Sequence, residues 1–97
     1  MKKINVQDLV KCMVESQDCY ILISSDARFE DSEAEIYSFS DESWANIFMQ
    51  QNCREEWFGF KWSPWDMWNR DADDVDAMNY IYDYLLEWIE KAGIELV

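Results

Sequence analysis

The groups in this chain able to do chemistry are three thiols, Cys12, Cys19 and Cys53, and 21 carboxylates; histidine is absent. Without an imidazole, neither Ser-His-Asp nor Cys-His nucleophilic chemistry can be assembled, and the thiols lose the base that usually activates them. Cys19 opens the apolar run Cys19-Tyr20-Ile21-Leu22-Ile23 and reads as a small core side chain. An odd number of cysteines without a metal-type spacing points to reduced thiols in a cytoplasmic protein.

The carboxylates are dense enough to suggest a hard cation, and Asp71, Asp73, Asp74 and Asp76 form the tightest group. A calcium loop needs oxygen ligands at the first, third and fifth places, glycine at the sixth and glutamate at the twelfth. Counted from Asp71, those last three places hold Val75, Asp76 and Tyr82, so the pattern fails. Helix capping and a solvated surface explain the group more simply. The adjacent pairs Asp41-Glu42 and Glu55-Glu56 carry little information among so many acids, since acid-base catalysis also needs a positioned cleft. Gly59 and Gly93 are the only glycines, so no glycine-rich loop can cradle a phosphate. No cofactor and no metal is expected, and the chain reads as non-catalytic.

Aromatic side chains are the other chemical resource. Trp57, Phe58, Phe60, Trp62, Trp65 and Trp68 crowd one stretch, where Phe58, Phe60 and Trp62 are expected inside and Trp65 or Trp68 partly outside as a recognition anchor.

The elements that must position these groups follow from periodicity. Val6, Leu9, Val10, Met13 and Val14 form a helical stripe, predicting a helix from Val6 to Ser16 with Asn5 as N-cap. Cys19 to Ile23 reads as a buried strand, 24–33 as a turn or loop, and Glu35 to Ser40 as a half-buried strand paired with the first as a hairpin. A short helix capped by Ser40 or Asp41 should end near Asn52, with Trp44, Ile47 and Phe48 as its apolar stripe. Trp57 to Trp62 alternates as a third strand, which Pro64 ends.

In the C-terminal helix, Val75, Met78, Ile81, Leu85, Trp88, Ile89 and Ala92 keep helical spacing, acids sit at its start, Lys91 lies near its end and Gly93 stops it. Ile94 to Val97 could then add a final strand to the sheet. The fold class expected is α+β: a small, mainly antiparallel sheet packed against about three helices as a single pair of layers, with the helices on one side.

Residues 1–97 are expected to form one acidic globular domain, since half of the chain is hydrophobic and two cores of this size would each be too small. No apolar run approaches the ~20 residues that span a bilayer, and the N-terminus lacks the apolar core of a secretory signal. The formal net charge is −13, with 21 acids against 8 Lys and Arg. A field of that sign repels nucleic acid and anionic membranes and attracts basic proteins. The acids concentrate in a segment holding Asp26, Glu30, Asp31, Glu33, Glu35, Asp41 and Glu42, and in another holding Asp66, Asp71, Asp73, Asp74 and Asp76.

In size, charge and aromatic content the chain resembles small acidic inhibitors of nucleic-acid-processing proteins: immunity proteins of bacterial nuclease toxins, and phage anti-defence or anti-CRISPR proteins that mimic DNA. That resemblance implies carboxylates standing where phosphates would lie, engaging Lys and Arg of a nuclease or other nucleic-acid-binding enzyme. From Tyr20 onward the order of elements is similar to the bacterial family called domain of unknown function twenty-seven-fifty. The pieces are Tyr20 to Ile23, Phe39 to Ala45, Tyr82 to Trp88 and Gly93 to Val97, while the Trp-rich stretch from Trp62 to Trp68 departs from it. That family implies no activity.

The function expected is therefore inhibition of a nucleic-acid-processing enzyme by occupying its basic surface. The partner-binding residues would be Asp26, Glu30, Asp31, Glu33, Glu35, Asp66, Asp71, Asp73, Asp74, Asp76, Trp65 and Trp68. Direct contact with nucleic acid or membrane is not expected, and a homodimer is compatible with this reading. Two alternatives stay open: a structural or adaptor domain whose acidity serves solubility, and an enzyme using a carboxylate-bound divalent metal.

Overall fold

The computed structural model describes residues 2–16, 19–26, 34–53, 55–64 and 71–97, and within them the side chains at 19, 25, 26 and 55 are left out of the account. The chain runs β1 (Lys2–Ile4), α1 (Val6–Glu15), β2 (Cys19–Asp26), β3 (Glu35–Phe39), α2 (Glu42–Gln51), β4 (Glu55–Trp62), α3 (Asp74–Tyr80), a π-helical turn (Ile81–Leu85), α4 (Leu86–Lys91) and β5 (Ile94–Leu96). The α+β class expected from the sequence is the one observed. A three-stranded antiparallel sheet has the order β3-β2-β4, and a separate parallel pair joins β1 to β5.

Side-chain alternation along β2 divides the three-stranded sheet into two chemical faces. Ile21 and Ile23 stand opposite Phe60 and Phe58 of β4 and Ser38 and Ile36 of β3, so these residues share one face. That face carries the main core, where Leu9, Val10 and Met13 of α1 meet Ile21, Ile23, Phe60, Trp62, Ala77, Ile81, Leu85 and Ile89. Tyr20 and Leu22 point the other way, beside Tyr37 and Phe39 of β3. Phe48 of α2 lies over this second face, its ring centroid 4.9 Å from Tyr37, 5.3 Å from Phe39 and 5.5 Å from Trp57. The middle helix, expected with the others on one side, thus covers the opposite face.

Two tryptophans of β4 hold helix ends, one on each face. The last carbonyls of a helix have no partner within it. Trp62, fully buried, donates its indole N–H to the Met13 carbonyl at the end of α1, at 2.8 Å. Trp57 donates to the Asn52 carbonyl at the end of α2, at 3.2 Å. Gly59 lies between them, and a Cβ there would stand 2.8 Å from both Leu22 Cδ2 and Tyr20 Cε1. The missing side chain lets the Tyr20 ring lie against the strand.

Several elements differ in detail from the expectation. The strand β2 continues to Asp26, because Ser24, Ser25 and Asp26 remain in register with Trp57, Glu56 and Glu55, where a turn was expected from Ser24. The segment Lys2–Ile4 becomes a strand only because β5 returns beside it, so β5 pairs with β1 and not with the antiparallel sheet. The Lys3 carbonyl also accepts the Ala34 N–H at 2.8 Å, which ties β1 to the start of β3.

In α2 the inward side is Ala45, fully buried, with Phe48 and Met49 half-buried, while Trp44 and Ile47 are 58% and 46% exposed. The apolar stripe expected there is rotated by one residue, because the small Ala45 lets the helix approach the sheet. Along the C-terminal rod the buried side chains are Ala77, Ile81, Leu85 and Ile89, each four apart. In an α-helix each four-residue step drifts by about 40°. The wider π turn takes up part of that drift and keeps the row on the core. Val75 and Trp88, expected in the stripe, are therefore 64% and 62% exposed. Gly93, at φ +77°, ends the rod in the left-handed region as its position implied.

Candidate functional site

Helix α1 presents its apolar side to the core and leaves Asp8, Lys11 and Glu15 exposed on the other. The Asn5 side chain starts the helix by accepting the N–H groups of Gln7 at 2.8 Å and Asp8 at 3.2 Å. Asp8 sits where the helix dipole favours a negative charge, but Glu15 sits at the opposite end, where the dipole opposes it. Helix stability therefore does not explain Glu15.

Two open grooves flank this exposed ridge. One separates α1 from β3 and is lined by Asp8, Lys11 and Glu15 together with Glu35 and Ser38; the other faces the start of α3 and adds Asp74 to the same three residues. The two grooves together are lined by four carboxylates, Asp8, Glu15, Glu35 and Asp74, and by the Lys11 side chain. The first groove is closed below by Ser16, whose hydroxyl donates to the Ser38 Oγ at 3.1 Å. Cys12 lies there as well, half-buried. Burial pushes its thiol above the ordinary value, outweighing the lowering by the Ser16 and Ser38 hydroxyls, and the Glu15 charge adds to the rise. The thiol is kept protonated and is a poor nucleophile at neutral pH.

The residues expected to bind a partner fall into four groups. Glu35 and Asp74, from the two acidic segments, are brought to either side of α1. Glu35 is held at the β3 start by a hydrogen bond from the Tyr37 hydroxyl. Asp73 and Asp76 form a capping box: the Asp73 side chain accepts the Asp76 N–H at 3.1 Å and the Asp76 side chain accepts the Asp73 N–H at 2.9 Å. These two are explained by helix initiation. Asp71 is exposed in the turn before α3, and Asp26 ends β2 opposite Glu55. Glu30, Asp31, Glu33, Trp65, Asp66 and Trp68 lie outside the described residues.

Sequence reasoning missed Asp8 and Glu15, although their spacing from Lys11 on the polar side of α1 was a usable signal. It also assigned Trp44 and Trp88 to buried stripes, whereas both are exposed. Among the described residues, no group of three or more Cys, Asp or Glu side chains is placed to hold a metal ion, and no helix is long and apolar enough to cross a membrane. No protein-family model, curated protein or solved structure matches the chain.

Proposed function

We propose that this protein is a non-catalytic acidic binding protein that inhibits a nucleic-acid-processing enzyme by occupying its basic surface, in the manner of an immunity protein or a phage anti-defence inhibitor. The observation that carries this reading is the placement of Glu35 and Asp74 in grooves on either side of α1, beside its exposed Asp8 and Glu15, within a chain of net charge −13. Carboxylates held on strands and helices of a packed domain keep fixed separations, which suits them to Lys and Arg side chains arranged to neutralise phosphates. Such a field speeds association and weakens with salt.

The test is a pull-down and titration against nucleases and CRISPR effectors at low and high salt, with duplex DNA as competitor. Binding that weakens with salt and is displaced by DNA supports the proposal; the absence of any basic partner at any ionic strength defeats it. A second reading, an adaptor domain whose acidity serves solubility, draws support from the exposed Asp83, Glu87, Glu90 and Glu95 on other elements. It predicts a partner whose binding survives high salt.

A further inference from the structure

We infer that the outer side of the C-terminal rod, built on Tyr84 and Trp88 with Asp83 and Glu87 beside them, is a receptor for arginine side chains of the basic partner. This inference rests on the reading above and identifies a second contact surface for the same partner. Tyr84 is 68% exposed and Trp88 is 62% exposed, the two most exposed aromatic side chains among the described residues. Tyr80 continues the row inward, with its ring centroid 5.4 Å from that of Tyr84 and 5.0 Å from that of the buried Trp62. The exposed Tyr84 ring therefore stands on a packed base.

The ligand chemistry is already displayed within the chain. The Lys91 ammonium lies 5.3 Å from the Trp88 ring centroid and 3.0 Å from Glu87 Oε1, a cation shared between an aromatic face and a carboxylate. Its side chain is 64% exposed, so little holds it there against a competing cation. Charge selects the occupant. Between Asp74 and Lys91 the rod carries Asp74, Asp76, Asp83, Glu87 and Glu90 against Lys91 alone. A second copy would bring the same acidic rod and another −13 charges, so the charge favours a cationic partner. Arginine suits the site better than lysine, since its planar, weakly hydrated guanidinium stacks on an indole while forking toward a carboxylate.

The experiment is a titration of the whole protein with octa-arginine and octa-lysine at low ionic strength, followed by calorimetry and by the NMR signals of the indole N–H groups. Octa-arginine should bind more tightly and shift the Trp88 signal. Trp88→Ala and Tyr84→Ala, at exposed positions, should each weaken octa-arginine by about two- to five-fold and erase the preference over octa-lysine. Lys91→Met should tighten octa-arginine binding in the parent and less so in Trp88→Ala, because only the parent has an occupied ring to free. Octa-arginine binding that is indifferent to both aromatic substitutions overturns the receptor and leaves the acidic reading standing. No binding of either peptide overturns both.

Discussion

Trp62→Phe tests the logic of the fold at the residue that joins the sheet to α1. The indole fills the core with no exposed surface and donates to the Met13 carbonyl at 2.8 Å. A phenyl ring keeps most of the apolar contact but strands that carbonyl, at a cost of about 1–3 kcal/mol, and leaves part of the indole volume empty at roughly 1 kcal/mol more. The sum, about 3 kcal/mol, is a large share of the ~5–15 kcal/mol that stabilises a domain of this size. Urea unfolding followed by circular dichroism should show a midpoint lower by roughly 1–2 M at unchanged slope, with thermal unfolding lower by about 12–24 °C. Phe60→Leu, which removes core volume and no hydrogen bond, should cost only about 1 kcal/mol. If Trp62→Phe is no worse than Phe60→Leu, the indole is not capping α1 and the argument fails.

Further outcomes follow from other sites. Asp73→Ala should destabilise the protein by about 1 kcal/mol through loss of the capping box, whereas Asp74→Asn, which loses only the dipole interaction of a first-turn charge, should cost less than about 0.5 kcal/mol and weaken salt-sensitive partner binding. Equal effects of the two on stability would contradict the division between structural and binding acids. Gly59→Ala should lower the unfolding midpoint by the equivalent of about 1–3 kcal/mol, because the new methyl meets Leu22 and Tyr20 at 2.8 Å; a stabilised variant would refute that contact.

The thiol of Cys12 and the phenols of Tyr20 and Tyr80 are all raised, chiefly by burial, so the folded state holds these protons more tightly than the unfolded chain. Their contribution to stability is complete below the ordinary thiol and phenol values and is lost as pH rises through the raised ones. Urea midpoints should accordingly fall in the alkaline range, and flat midpoints there would contradict the burial. At pH 8 iodoacetamide should modify the exposed Cys53 before Cys12, a contrast that peptide mapping can read.

Local pattern carried much of this molecule. The spacing of Leu9, Val10 and Met13, the alternation in Trp57 to Trp62, the cap at Asn5 and the stop at Gly93 are decided by interactions over a few residues, and each is where the sequence places it. The charge was equally legible, since counting carboxylates needs no fold. Tertiary contacts decided the rest. Lys2–Ile4 is too short to be a strand by itself and becomes one only beside β5, a pairing between the two ends of the chain. The side of α2 that turns inward depends on how closely Ala45 can approach the sheet, and the row Ala77, Ile81, Leu85 and Ile89 depends on a π turn that ordinary helical periodicity conceals. For the same reason the sequence could count the acids but not gather them. Glu35 and Asp74 flank α1 only because packing of strand and helix against one core brings distant segments to its two sides, and electrostatic recognition depends on that arrangement as much as on the total charge.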